Sequence, residues 1–459
     1  MLRCPSPLSD DHPHAQEHGE RADTGQETTD EQREYAYQQT SGELTNNNTT
    51  MDILFIHGNY PAQFRHLAEA LGKSGQHRIF FLTARQDANK QPINGVTIRE
   101  LKLHRLPHNA THHYLTSTEE SILKGQAVLR EINNMIEEGV YPRLVITHGG
   151  MGLGLFIKDI LPNSIHIGLF EWYFKKETSK WLIENFGLDQ QLQTNLRNLP
   201  ILEELTRCDI GVVPTKWQFQ QFPREFNCKL RVIFDGIDTN YFKPDKDIDK
   251  EDVTIIGEDL VEPLIIKPDQ VVLSYATRGM ETLRGFPEFL HAAANAVQIN
   301  RNLQVIIAGR DRRAYSYDAP GMNGSWKDYI LDKLGNFEGK ERLHFTGLLP
   351  YEYYKKLLQR SNLHCYFTRP YVTSWSLFEA AACGARLCVN KSPATEGIVR
   401  EDTKVKWVDL NNPKQLKETI INQLHDLSAQ KSELRNEYAL TESLKQWQDL
   451  INELLQTRK

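Results

Sequence analysis

From Met51 onward the chain alternates short apolar runs with amphipathic stretches, and this alternation limits the possible folds more than any single residue does. "MDILFIHGNYPAQFRHLAEALGKSG" opens it with a strand over Ile53 to Ile56, a loop at Gly58, and an amphipathic helix ended by glycine. Then come "HRIFFLTA", "GVTIRELKL", a helical "STEESILKGQAVLREINNMIEEG", the strand "RLVITH", a helical "GLGLFIKDIL" and the strand "SIHIGLF". Strands and helices alternating at this spacing predict a parallel sheet covered on both faces. "LTRCDIGVVPTKWQFQQFP" continues the pattern, and "KLRVIFDGIDTNYFKPDKDIDKED" shifts into Gly, Pro and charge, which puts a domain boundary after residue 234. The alternation restarts with "QVVLSYATRGMETLRGFPEFLHAAANAV" and runs through "LQVIIAGRDRR", "LHFTGLLPYEYYKKLLQRS", "LHCYF" and "RLCVN". The expected domains are therefore 51–234 and 235–435. Leu440, Leu444, Trp447, Ile451, Leu454 and Leu455 recur at helical spacing, so residues 436–459 are expected to form an amphipathic helix that docks on the rest.

At 459 residues the chain exceeds what one core usually organises, which agrees with two domains and a site between them. A net charge of −6 with 54 scattered Lys and Arg excludes the basic footprint of a nucleic-acid binder. The six cysteines show no CxxC pair and no His/Cys metal spacing, and a reducing cytoplasm suits them. No apolar run reaches the roughly 20 residues of a membrane-spanning helix. Residues 1–50 are polar and acidic and are expected to be a disordered extension, with Met51 a candidate start.

Ligands of open parallel sheets bind beyond the carboxyl ends of the strands, and three constellations sit at such ends. In "TRGMETLRG", Arg278 and Arg284 bracket a loop that opens a helix. A helix start and two guanidiniums suit a diphosphate, although two surface arginines are the plainer explanation of any isolated pair. In "SWSLFEAAACGARLCVN", Glu379 stands among small and apolar residues where an unpartnered carboxylate is costly. Ser374 or Ser376 is expected to cap a helix there, and Gly384 to end it. The alanines at 380 to 382 leave room for a ligand, and vicinal ribose hydroxyls would satisfy both carboxylate oxygens. In "VITHGGMGLG", His148 follows a strand directly, and the glycines permit tight turns without keeping GxGxxG spacing. A structural histidine is an equal alternative. Gly58 has the same placement after the first strand.

Other features carry less. His104, His108 and His112 have helical metal spacing, but Pro107 interrupts any such helix. "DKDID" at 245–249 has an Asp-x-Asp pattern in the charged linker. "EWYFKKETSKW", 171–181, mixes aromatics with lysines and is the candidate surface for a peripheral membrane contact, with a solvated face the usual explanation. "RRAYSYDAPGMNGSWKDY" reads as a long loop of the sort that is often functional.

Together "VIFDGIDTNYFKP", "LHFTGLLPYEYYKKLLQRSNLHCYF" and "SLFEAAACGARLCVN" resemble signatures of the family 4 retaining glycosyltransferases. "ILFIHGNYPAQFRHLAEAL" and "TRGMETLRGF" are closer still to a bacterial subgroup associated with polysaccharide and glycolipid assembly. The resemblance runs from Met51 to the C-terminus. It implies the GT-B fold, in which two Rossmann-like parallel-sheet domains face a cleft. It also implies a cytoplasmic enzyme, at most membrane-peripheral, that moves a sugar from a nucleotide-diphosphate sugar, UDP-sugar first, to a carbohydrate, lipid-linked or small-molecule acceptor. No cofactor and no metal is implied. Arg278 matches the family's arginine on the donor diphosphate, and Arg284 stands about where a lysine does the same work. Glu379 matches the glutamate that holds the ribose, and Gly58 the loop glycine near the phosphates. His148 falls where many members carry an active-site histidine, and Leu348 lies in the segment whose backbone meets the base. The resemblance departs at one position. A first glutamate, which contacts the donor sugar in the family, would stand eight positions before Glu379, where this chain has Tyr371. Donor identity is open there, and the hydroxyls and N–H groups of "YVTSWS", Thr373 and Ser374 among them, offer another hold on a sugar. The competing readings are a non-catalytic nucleotide-sugar binding protein and a nucleotide-sugar hydrolase or epimerase on the same scaffold.

Overall fold

The apolar runs become the centres of two parallel sheets in the computed structural model, which describes residues 50–321, 323–401, 405–425 and 431–457. Apart from Thr50, the segment expected to be disordered lies outside the described residues. In the first lobe the strands are β1 (Asp52–His57), β2 (Arg78–Thr83), β3 (Val96–Glu100), β4 (Pro142–His148), β5 (Ile165–Leu169), β6 (Ile210–Val213) and β7 (Leu230–Val232). They lie in the order β3-β2-β1-β4-β5-β6-β7, with α1 (Arg65–Ser74), α2 (Thr116–Glu137) and α3 (Leu199–Arg207) among the crossovers. Chain direction across the sheet reverses between β1 and β4, where Phe55 pairs with Ile146 and Ile56 with Thr147. The carboxyl ends flanking this switch point are His57 and His148, so the sheet delivers two imidazoles to one crevice.

The second lobe repeats the scheme. After a small antiparallel hairpin, β8 (Val253–Ile255) and β9 (Leu264–Ile266), come β10 (Val271–Gly279), β11 (Leu303–Arg310), β12 (Leu343–Gly347), β13 (Leu363–Tyr366), β14 (Leu387–Asn390) and β15 (Lys406–Val408). Their order is β12-β11-β10-β13-β14-β15, with the switch between β10 and β13. The helices α4 (Phe286–Ile299), α5 (Tyr351–Arg360) and α6 (Trp375–Ala382) belong to this lobe. Arg278 stands near the end of β10 and Tyr366 ends β13, so this switch point carries a guanidinium and a phenol. The hairpin lies in a segment whose alternation is too short to signal it.

Helix α7 (Leu440–Thr457) docks on the first lobe although it follows the second in the chain. Trp447, Leu450 and Ile451 join Ile53, Phe55, Leu144, Ile146 and Val212 in one buried cluster. The chain returns beside the linker. Gly236, at φ +89°, leaves no room for a side chain, because an added Cβ would lie 2.9 Å from the Leu440 Cα. The helix expected over "GLGLFIKDIL" shrinks to one turn at Ile157–Ile160. The glycines before it take φ +84° at 150 and +90° at 152, and Gly152 packs so closely on the Ser121 carbonyl that helical geometry is lost. No helix among the described residues is long and apolar enough to cross a membrane.

Trp447 is 5 % exposed in the first lobe's core, so Trp447→Ala should cost about 3 to 5 kcal/mol. A thermal melt should show the loss, and an unchanged melting curve would remove α7 from that core.

Candidate functional site

At the first switch point His57 and His148 stack with ring centroids 4.2 Å apart. Their outer nitrogens close a circuit. His57 Nε2 lies 2.9 Å from Gln63 Oε1, Gln63 Nε2 donates to Glu171 Oε1 at 2.6 Å, and Glu171 Oε2 lies 3.2 Å from His148 Nε2. Because His57 Nδ1 accepts from the Asn59 N–H at 2.8 Å, its proton resides on Nε2 and points at Gln63. Burial, then the neighbouring His148, pushes the His57 pKa down to about 3, so the ring is neutral. Burial raises the Glu171 carboxyl, but His148, Gln63 and His57 outweigh it and hold the group below its ordinary value. Glu204 on α3 accepts from the N–H groups of Gly150 and Gly152 at 2.8 and 2.6 Å, which fixes the loop after His148. Its own carboxyl is pushed up to about 7 by burial, against the pull of those donors.

At the second switch point Arg278 is exposed and donates to the Tyr315 hydroxyl at 2.9 Å. Arg284, 5 % exposed, donates to Thr368 Oγ1 at 2.8 Å and to the Val372 carbonyl at 3.1 Å, and its guanidinium lies 5.5 Å from the Tyr315 ring. Both arginines thus converge on one tyrosine of the long loop. That loop is anchored by buried Glu281, whose Oε2 accepts from the N–H groups of Ala314, Tyr315 and Ser316, each at 3.0 Å.

Helix α6 begins beside Arg284. Ser374 is its N-cap by position, yet its hydroxyl caps nothing and instead meets Ser376 Oγ at 2.7 Å, while its N–H donates to the Tyr366 hydroxyl at 2.9 Å. The Thr373 hydroxyl donates to the Ala394 carbonyl. The alanines beside Glu379 do not open a space for a ligand, as the sequence suggested; they pack with Phe378 and Phe234 in the core. Glu379 itself is 5 % exposed, and burial pushes its carboxyl up to about 7 against the pull of the neighbouring Tyr354 hydroxyl.

A cavity of about 820 Å³ lies between the lobes, lined by Gln63, Arg65 and His66 on one side and by Asp235, Tyr351 and Glu379 on the other. Asp235 accepts from Trp375 Nε1 at 2.8 Å, and burial, followed by the charge of Glu171, pushes it up to about 7. The cavity lining includes Glu379 but neither Arg278 nor Arg284; Arg284 meets the start of α6 through Tyr366, which receives both its Nη1 at 3.5 Å and the Ser374 N–H. Gly58 is exposed directly after β1, with nothing within 4 Å of an added Cβ. The Leu348 backbone is engaged by Glu258, whose N–H donates to its carbonyl at 3.1 Å and whose carboxylate accepts its N–H at 3.4 Å. Tyr371 joins the lobes. Its ring lies 4.8 Å from Trp172, and its carbonyl accepts from Trp217 Nε1 at 3.1 Å.

Two family models match this architecture. "Glycosyl transferase family 4 group" covers residues 75–242 and "Glycosyl transferases group 1" covers 258–439, together more than half of the chain. The chain belongs to the glycosyltransferases. No curated protein matches it. Among solved structures it is similar to the sucrose-phosphate synthase of Thermosynechococcus elongatus, with a TM-score of 0.65 at 16 % identity over 89 % of this chain and 100 % of that one. HepE of Anabaena, solved with UDP and glucose, gives 0.57 at 14 % identity over 88 % and 100 %. A glycosyltransferase of Rickettsia africae gives 0.57 at 12 % identity over 89 % and 99 %. At these identities the likeness is one of fold, the GT-B arrangement of two Rossmann-like lobes.

Several residues of this glycosyltransferase's cleft escape the sequence reading. Glu171 and Trp172 belong to the segment read as a solvated or membrane-facing surface, yet Trp172 is buried and Glu171 closes the histidine circuit. The available signal was position: both lie within three residues of the end of β5, close to the rule that singled out His148. Tyr315 and Glu281 carried no such signal, because their contact joins positions 34 residues apart across a loop.

Glu379 favours its protonated form in the folded state, so its contribution to stability is full below about pH 4.5 and is lost as pH rises through about 7. Glu379→Gln should therefore gain on wild type across that window by an amount on the order of 3 kcal/mol. Paired denaturation curves at both ends of the window test this, and a constant difference would contradict the raised pKa.

Proposed function

We infer that this glycosyltransferase takes a hexose from a nucleoside-diphosphate sugar, most naturally a UDP-sugar, and places it on an acceptor hydroxyl with retention of anomeric configuration. The observation that carries this reading is the convergence of Arg278 and Arg284 on Tyr315 beside the start of α6. A departing diphosphate needs positive charge already in place, and two guanidiniums near a helix start supply it without requiring a metal. Glu379 and Tyr351 in the cavity would receive the nucleoside, with Glu379 accepting from the ribose hydroxyls. His148, fixed by its stack on His57 and its contact with Glu171, would orient the transferred sugar. HepE, solved with UDP and glucose, supports a uridine donor by analogy of fold.

Retention follows if the acceptor attacks from the face the diphosphate leaves, so no protein nucleophile is required. The aromatic contact between Trp172 and Tyr371 closes the lobes over this region and excludes water, which suppresses hydrolysis of the donor.

Arg278 is exposed, so Arg278→Ala should leave the melting temperature nearly unchanged while lowering turnover by about tenfold or more. A panel of nucleotide sugars, assayed for donor consumption with and without acceptors, tests both statements. A near-wild-type rate would remove Arg278 from the site, and release of free sugar alone would favour a hydrolase. Nucleotide binding with no turnover would favour a binding protein.

A further inference from the structure

Glu171 is held more firmly than a surface carboxylate needs to be. Its carbonyl accepts from Gln218 Nε2 at 2.7 Å, one carboxylate oxygen accepts from Gln63, and the other faces His148. Yet its side chain keeps 29 % of its surface open. The residue after it, Trp172, packs on Tyr371 of the other lobe, which sets Glu171 beside the junction of the lobes. Gln63 and Asp235, the groups that adjoin Glu171, also line the 820 Å³ cavity. Asp235 is pushed up to about 7 and so gives up its charge more readily than Glu171, whose partners hold it below its ordinary value.

We propose that Glu171 is a catalytic residue of the first lobe, a fixed carboxylate that faces the transferred sugar and stabilises the positive charge developing on it. This assignment rests on the glycosyltransferase reading given above. In the step, the bond between the anomeric carbon and the diphosphate oxygen breaks, and its electron pair leaves on that oxygen. The acceptor oxygen forms the new bond to the same carbon, and its proton passes to the departing phosphate. Glu171 gains and loses no atom. It opposes the cationic sugar from one side while Arg278 and Arg284 neutralise the leaving group on the other, so the two ends of the cleft carry charges opposite to those that form in the reaction. Gln63 is a positioning residue in this scheme, because it meets one oxygen of the carboxylate, while His148 meets the other and keeps its own place beside the sugar.

The test is Glu171→Gln, which keeps the shape and removes the charge, measured with whichever nucleotide sugar the wild-type chain consumes. The expected result is a fall in kcat of about a hundredfold, with donor KM and the calorimetric Kd for UDP within about threefold of wild type. A kcat within threefold of wild type overturns the proposal while leaving the glycosyltransferase reading intact. A wild-type chain that consumes none of the nucleotide sugars overturns that reading and this one with it. If Glu171→Gln melts markedly below wild type, Glu171→Asp decides. Retained charge should restore at least about tenfold of the lost kcat over the glutamine variant, and no restoration rejects the proposal.

Discussion

Everything in the cleft depends on where two parallel sheets change direction. A parallel strand needs a crossover to reach its neighbour, and when crossovers run outward in both directions from a central pair, the loops after that pair part and leave a crevice. In this chain the pairs are β1 with β4 and β10 with β13. The residues that end these strands have little choice of location. His57 and His148 are delivered to one crevice at the ends of the paired β1 and β4, and Tyr366 to the other at the end of β13, while Arg278 sits at the register shift between Ala276 and Gly279 of β10. Polar chemistry is thus mounted on the most rigid part of each lobe.

Around those fixed ends, the polar groups are ordered by partners rather than by propensity. Three glycines follow His148 within four residues, and the buried Glu204 carboxylate ties down two of their N–H groups. The described residues of the long loop after β11 have no regular structure up to Ser325, and the buried Glu281 carboxylate gathers three of its N–H groups. In each case an acidic side chain takes the place of a sheet ladder, satisfying backbone donors that would otherwise be buried without partners. Irregular backbone next to a site can then be as well placed as a strand.

How much of this was legible in the sequence depended on the range of the contact. The βα alternation is local, so both sheets, the docking helix near the C-terminus and the strand-end placement of His148 and Arg278 could be read directly from periodicity. Glu379 stood out as a lone carboxylate in an apolar run, and the family signatures extended the reading to Leu348. Tyr315 was out of reach because its meeting with both arginines depends on Glu281 drawing in a loop more than 30 residues away. Glu171 and Trp172 were not singled out one by one for a different reason: alternating aromatics and charges look alike on a solvated face and at a junction between lobes. The alanines at 380 to 382 show the converse error, since small residues also serve close packing against Phe378.

The return of the chain to the first lobe also bears on how the halves can move. Outgoing and returning segments run side by side: the Ile237 N–H donates to the Tyr438 carbonyl at 2.9 Å, and the Leu440 N–H to the Ile237 carbonyl at 2.8 Å. Two hydrogen-bonded threads resist twisting and sliding far better than one flexible linker would, but they still bend across their shared width. Swinging about that double strap is thus the freedom the architecture leaves open, in the manner of a book on its spine, and the strap lies beside the cavity between the lobes through Asp235 and Ile237.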